Sequence, residues 1–477
     1  MIETATVPVR SLPPKRRPAP RTPWAVALPP AALALALGLW GLEREGTMWS
    51  DEAVTYDMAG RSLPGIWRTL GSADAVHGLY YLLMHAVFAV WDPGLVPLRL
   101  PSVLATAATA ALVARIGARL AGPRAGLLSG LVLALLPVVQ RYAQEGRSYA
   151  LVCALVAWGT LLLLERRWRA YTVVMLIACL LHEFAVLALV AHAVTVWPAG
   201  RPGGRGLPRD WRRAAAVVCC GLAPLAVFSM TQSAQLDWVG PPSTPKLVDF
   251  AVLALVGLVC GALPGGGAVR RLALPLLVLP MGLLIAVSFA HPLYVERYVL
   301  FHVVGLALLL GAVLDRLWSP LVAGGAVVTA VVHLTVTGPQ LRSPESRSDR
   351  VTAMAGVVAE LARPGDAVLF VPGQRRVWSL APGDGFRGLP DLSLDRAPRA
   401  SHTLYGTEAS PGTVRERLLD HPGRVLVVAD RPGERRLVPA RETAALAVLE
   451  RHFRLVEERT VSRARIGVYI RDRGPGR

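Results

Sequence analysis

Lysine is almost absent from this chain: of 51 basic side chains among 477 residues, only Lys15 and Lys246 are lysine and the rest are arginine. Cysteine is scarce too. Cys153, Cys179, Cys219, Cys220 and Cys260 all fall inside apolar runs, with no C-x-x-C pair and no His/Cys cluster, which argues against a disulfide framework and against a zinc site. Acidic residues number 33, leaving a formal charge of +18, yet the arginines come in short clusters between apolar segments and not along one soluble face. That distribution reads as a topology signal and excludes nucleic acid as the expected partner. There is no internal repeat, and no low-complexity tract beyond the Pro- and Arg-rich residues up to Arg21. No small-residue cleavage signature precedes Trp24, so the first apolar segment is expected to be a retained signal anchor. Pro372-Gly373-Gln374 lacks the Gly-Lys-Ser/Thr ending of a phosphate loop.

What the chain has in abundance is apolar sequence. With 53% hydrophobic residues and a mean hydropathy of +0.44, it carries far more than a soluble core needs. The expectation is a polytopic α-helical membrane protein. A span needs about 20 apolar residues, and the segments 24–42, 97–119, 124–140, 148–165, 170–183, 184–199, 213–232, 247–265, 272–290, 295–314 and 317–337 qualify or nearly so. The run 77–91 is apolar but short. If it crossed the membrane, the basic runs Arg115 to Arg124, Arg166 to Arg169 and Arg201 to Arg213 would lie outside, against the positive-inside rule. Read as an interfacial or re-entrant helix, it leaves those runs and the tail, residues 1–23, in the cytoplasm. The same choice puts Asp51, Glu52, Arg99, Tyr142 to Tyr149, His182, Glu183, Gln232 to Lys246 and His291 to Tyr298 on the opposite face. Residues 24–342 thus form the transmembrane part, with a first extracytoplasmic loop at 43–96. From 343 to 477, Pro, Gly and charge become frequent, and short β-branched runs at Ala367 to Val371, Arg424 to Ala429 and Ile466 to Arg471 alternate with helix-like stretches. That alternation indicates a small C-terminal extracytoplasmic α/β domain. The arginine-rich, Ala-, Gly- and Pro-rich composition suggests a high-GC genome and a bacterial cell membrane.

Asp51 and Glu52 stand side by side just after the first apolar segment. An acid at the bilayer centre costs about 3 kcal/mol, so carboxylates beside a span face water, a partner or a substrate. The bland alternative is a solvated loop start. Downstream follow the His-led helix His77-Gly78-Leu79-Tyr80-Tyr81-Leu82-Leu83-Met84-His85, then Arg99-Leu100-Pro101-Ser102, then Gln144-Glu145-Gly146-Arg147-Ser148-Tyr149-Ala150-Leu151, and finally Tyr294-Val295-Glu296-Arg297-Tyr298. In order and spacing, from about Trp24 to Trp318, this series resembles family 39 and related GT-C glycosyltransferases, which include protein O-mannosyltransferases and lipid A aminoarabinose transferases. One departure stands out: the family's His-Pro-Pro is His77-Gly78-Leu79 here, which bears on the entry geometry of that helix.

The resemblance implies transfer of a sugar, by inversion, from a polyprenyl monophosphate donor to a hydroxyl acceptor outside the membrane. A hydroxyl nucleophile needs a general base, which would be Asp51, with Glu52 orienting the site or the acceptor. A lipid phosphate leaving group needs fixed positive charge, and the planar guanidinium fork suits it. Arg297 and Arg147 would supply it, with Tyr298 and Tyr142 beside them; each arginine is alternatively a snorkelling anchor. Arg99 would orient the loop carboxylates or bind phosphate, the alternative again being an interfacial anchor. His77, Tyr81, Glu145 and Trp238 would contact acceptor or sugar, while His85 and the pair His182-Glu183 would be structural. No cofactor is required by this scheme, and no third ligand accompanies His182-Glu183 for a metal. The competing readings are a lipid-linked sugar transporter, which would show inverted halves and broken spans, and a non-catalytic membrane anchor for the C-terminal domain. One geometric criterion separates the readings: in the enzyme, Asp51, Glu52, His77, Arg147 and Arg297 should line a single outward cavity open sideways to lipid, and an Asp51 more than about 15 Å from every one of these arginines would count against catalysis.

Overall fold

The computed structural model describes residues 23–197, 206–236, 238–263, 266–347, 349–431 and 440–472. Residues 1–22 of the expected tail, Arg201 of the third basic run and Asp237 lie outside the described residues. The first apolar segment forms α1 (Pro23–Leu39) and is followed by two short loop helices, α2 (Ser50–Ala59) and α3 (Leu63–Leu70). The run anticipated at 77–91 is α4 (Gly78–Val90), 13 residues long and too short to span.

The bundle continues through α5 (Leu95–Ala121), α6 (Pro123–Leu135), α7 (Pro137–Ala143), α8 (Tyr149–Leu164), α9 (Trp168–Leu181), α10 (Leu187–Val196), α11 (Arg209–Met230), α12 (Thr244–Ala262), α13 (Gly267–Ser288), α14 (His302–Arg316) and α15 (Pro320–Val332), closing with α16 (Gly338–Arg342). Every predicted span therefore coincides with a helix. Among the described residues six helices are long and apolar enough to cross a membrane, or seven if α6 and α7, bent by 64° at their junction, count as one span. The chain is a multi-pass membrane protein. The shorter helices α8, α9, α10 and α14 stop short of a full span because their ends unwind next to polar residues: α8 begins after Arg147, a 3-10 turn Glu183–Val186 follows His182, and another, Glu296–Val299, precedes α14. The break at Pro137 lies where Gln140 accepts from Arg342 Nη2 at 3.1 Å, so it is a packed polar joint.

After α17 (Val351–Leu361) comes a four-stranded sheet of β1 (Ala367–Val371), β4 (Val425–Asp430), β6 (Ala464–Arg471) and β5 (Phe453–Val461) in the order β1-β4-β6-β5; β2 (Leu394–Arg396) and β3 (Thr407–Glu408) form a separate ribbon. β1 and β4 run parallel, while β6 is antiparallel to both β4 and β5. Helices α18 (Pro398–Ser401), α19 (Pro411–Asp420) and α20 (Ala440–His452) complete this α/β part. It packs onto the loop helices: Arg61 Nη2 donates to the Thr403 carbonyl at 3.0 Å, Arg399 meets Asp57 at 3.3 Å, and Ser72 Oγ donates to the His402 carbonyl at 2.8 Å.

Three membrane helices touch backbone to backbone. A Cβ on Gly126 of α6 would overlap the Ala114 carbonyl oxygen and the Ala118 amide of α5, and one on Gly311 of α14 would overlap Ser129. Gly126→Val should therefore cost about 1–3 kcal/mol or more through overpacking, read as a lower Tm of the detergent-solubilised protein. Gly356→Ala in α17, where nothing lies within 4 Å, should leave Tm unchanged or slightly higher. Equal effects of the two would contradict this packing account.

Candidate functional site

The site is assembled around a buried carboxylate. Asp51 and Glu52 occupy the first turn of α2, where the helix dipole favours acids, and successive helical residues point about 100° apart. Glu52 faces inward and is 0% exposed. It accepts from Arg99 Nε at 2.8 Å and Nη2 at 2.7 Å, from Arg44 Nη2 at 2.9 Å and from the Gly146 amide at 3.0 Å. Burial pushes its pKa up, but Arg99 and Arg44 together outweigh burial and hold it at about 2. Arg44 reaches it because the chain turns back through left-handed backbone at Arg44 (φ 46) and Glu45 (φ 54).

The Asp51 side chain points the other way and is 27% exposed. Arg297 Nη2 stands 3.5 Å from its Oδ2 and Arg147 Nε 3.9 Å. Arg147 also reaches Thr55 Oγ1 at 3.4 Å and the Tyr81 hydroxyl at 3.3 Å, while that hydroxyl donates to Asp74. Arg297 donates from Nε to the Tyr149 hydroxyl at 3.1 Å. Four rings surround its guanidinium: Trp49 and Trp238 at 5.6 Å, Tyr298 at 5.7 Å and Tyr149 at 5.8 Å. Such contacts contribute about 0.5–2 kcal/mol each and fix the cation beside the carboxylate. Tyr142 stacks edge-on against Tyr149, with centroids 5.8 Å apart.

No protein-family model matches the chain, and no curated protein sequence does. Solved structures do match: ArnT from Cupriavidus metallidurans in its apo state has a TM-score of 0.58 at 13% identity, covering 92% of this chain and 97% of that one. The same protein bound to undecaprenyl phosphate gives 0.56 at 13% identity, over 93% and 98%. The chain has the ArnT fold. The GT-C architecture expected from the order of the motifs is thus the one observed, membrane helices and C-terminal sheet included.

Within this fold the expected site residues separate into two groups. Asp51, Arg147, Arg297, Tyr298, Tyr142, Tyr81, His77 and Trp238 converge. Glu52, Arg99 and Glu145 lie behind them. Glu52 cannot touch an acceptor, being sealed under two arginines, so it orients the loop. The expectation that Arg99 binds phosphate is corrected: it is 0% exposed and spends its donors on Glu52, the Leu42 carbonyl at 2.7 Å and the Thr47 carbonyl at 2.6 Å. Glu145, expected to contact sugar, instead forms a buried ion pair with Arg347 at 2.8 Å. His85 packs as expected, Nδ1 lying 2.9 Å from the Ala59 carbonyl. Glu183 accepts from Ser229 at 2.8 Å, but its neighbour His182 makes no hydrogen bond to a described residue and sits with its ring 4.8 Å from that of Tyr298. Sequence reasoning passed over Arg44, Trp49 and Asp74. Trp49 adjoins the acidic pair and was the one with a signal; Arg44, in Glu43-Arg44-Glu45, reads as a solvated charge run. Among the described residues no three His, Cys, Asp or Glu side chains are grouped to hold a metal ion.

The clamp has a pH signature. Because the folded pKa of Glu52 lies below its ordinary 4.5, its contribution to stability is complete above about pH 4.5 and is lost as pH falls towards 2. Glu52→Gln leaves Arg44 and Arg99 without their counter-charge and should cost about 3–5 kcal/mol. The expected result is a large drop in Tm at pH 7 that shrinks as the medium is acidified through that window; a variant as stable as the wild type at pH 7 would refute the clamp.

Proposed function

We propose that this chain is an integral-membrane inverting glycosyltransferase that moves a sugar from a polyprenyl monophosphate to a hydroxyl acceptor at the extracytoplasmic face. The observation that carries the reading is the Asp51 carboxylate, partly exposed, set 3.5 Å from Arg297 and 3.9 Å from Arg147. The fold supports it, since the ArnT structure of the same architecture was solved with undecaprenyl phosphate bound. The positive-inside argument supports the orientation.

The acceptor oxygen attacks the anomeric carbon, its proton passes to Asp51, and the bond from that carbon to the phosphate oxygen breaks with its electron pair leaving on the phosphate. Arg297 and Arg147 neutralise that developing charge, an interaction strengthened near the low-dielectric bilayer. Their distances to Asp51 exceed those of a tight ion pair, so an entering phosphate can draw both guanidinium groups onto itself and leave the carboxylate free to take a proton. Glu52 holds the loop, and the four rings hold Arg297. Mannose is the default sugar by resemblance to family 39. Among the described residues the one bent helix pair that a lipid-linked sugar transporter would draw on is α6 and α7, and that joint is filled by Gln140 and Arg342.

Purified protein incubated with a panel of labelled polyprenyl-phosphate sugars should hydrolyse or transfer one of them. General bases contribute about 10²–10⁴-fold, so Asp51→Asn should lose at least 10²-fold in turnover while still binding donor; retained turnover would overturn the base assignment. Arg297→Ala should raise the KM for donor by tenfold or more, and unchanged kinetics would refute its role.

A further inference from the structure

Four histidines in the membrane part are buried. Two are satisfied core groups: His192 Nε2 lies 3.0 Å from Thr160 Oγ1 and its Nδ1 2.9 Å from the Tyr171 hydroxyl, and His302 Nδ1 lies 2.9 Å from the Val299 carbonyl. The other two are His77, 5% exposed, and His182, 3% exposed. Neither ring hydrogen-bonds to a described residue, and the Nδ1 atom of each is a buried polar atom with no partner. Buried polar groups are almost always paired, so two adjacent exceptions need a reason.

Their location supplies one. The rings face each other with centroids 5.8 Å apart. Around them stand Tyr81, 6.2 Å from His77, and Tyr149, Phe184 and Tyr298, at 5.7, 5.6 and 4.8 Å from His182. Tyr149 is the residue whose hydroxyl receives Arg297, and Tyr81 the one that meets Arg147. The pair is thus joined through these two tyrosines to the two cations beside Asp51, at the junction where α4 begins and α9 ends. We propose that His77 and His182 form the subsite that holds the hydroxyl groups of the donor's sugar ring. This rests on the transferase reading above and names the part of the site that would tell a glycosylated lipid phosphate from a bare one.

The chemistry matches. Burial, with Arg147 and Arg297 nearby, holds the His77 imidazole well below its usual pKa and so uncharged. A neutral imidazole offers one donor and one acceptor, the same combination as a hydroxyl, and the aromatic walls suit the apolar faces of a sugar ring. A purely structural pair would instead be internally satisfied, as His192 is. On this reading Gly78 follows His77 without the proline expected there, and a Cβ at that position would press on Leu70 at 3.0 Å, so the turn carrying His77 is fitted closely to α3.

The test compares two ligands on the full-length protein in detergent: undecaprenyl phosphate, and undecaprenyl-phosphate mannose or whichever member of the donor panel is turned over. Wild type should bind the glycosylated lipid more tightly. His182→Ala and His77→Ala should each remove about tenfold of affinity for it, the scale of one or two lost hydrogen bonds, with affinity for bare undecaprenyl phosphate within twofold of wild type. His182→Gln, which keeps a donor and an acceptor, should restore part of the loss, a recovery that mere packing would not produce. Equal loss for both lipids, or no loss for either, would overturn the subsite. Wild type that binds neither lipid is a different result, since it removes the transferase reading itself.

Discussion

The buried carboxylate of Glu52 is the constraint on which the site depends. Its four hydrogen bonds come from the turn after α1, from the start of α5 and from the loop between α7 and α8, while Glu52 itself belongs to α2. Neither the turn carrying Arg44 nor the start of α5 carrying Arg99 can leave without weakening the pairing of a buried charge, which is far costlier than losing an exposed pair, and departure of the Gly146 amide would remove a fourth donor from the carboxylate. Asp51 is one residue before the clamp and Arg147 one residue after its Gly146 amide. Closing the clamp therefore sets the separation between the exposed carboxylate and one of its cations to within a bond or two of backbone, without any direct contact between them being needed.

That arrangement explains what could and could not be read from the chain. The apolar segments were legible because bilayer thickness imposes their composition, but their lengths were not. The ends of α8, α9 and α14 unwind where Arg147, His182 and Arg297 leave the helical path, and hydropathy does not register such a change. The acidic pair was legible as a pair. Which member faces inward depends on where α2 starts, and one residue of shift would exchange them. Arg44 carried no usable signal, since its role comes from left-handed backbone at two non-glycine residues, a conformation favoured only when surrounding contacts enforce it. Arg347 and Asp349 were equally silent: each acts on a partner some 200 to 300 residues away in sequence.

Those last two residues give the C-terminal part its place. Arg347 pairs with Glu145 and donates from Nη2 to the Arg141 carbonyl at 2.8 Å. Asp349 accepts from the Ser50 hydroxyl, Val351 donates from its amide to the Met48 carbonyl at 2.9 Å, and Thr352 Oγ1 receives the Met48 amide at 3.1 Å. The strand of chain entering α17 is thus stitched to the segment before Asp51 and to the segment before Arg147. Loops at a membrane surface are costly to hold still, and here the seam that begins the α/β domain supplies the second set of ties.

Five arginines stand near this site, and distance sorts them. Arg44 and Arg99 meet their partners at 2.6–2.9 Å and are sealed from solvent. Arg347 is likewise held at 2.8 Å. Arg147 and Arg297 make only contacts of 3.1–3.9 Å to oxygen. A charge-assisted hydrogen bond at its optimum is shorter by several tenths of an ångström, so these two guanidinium groups are positioned but not saturated. Positioning without saturation is what an anion site requires: the rings around Arg297 and the hydroxyls around Arg147 bear the cost of orientation in advance, and the electrostatic gain is left for whatever anion enters.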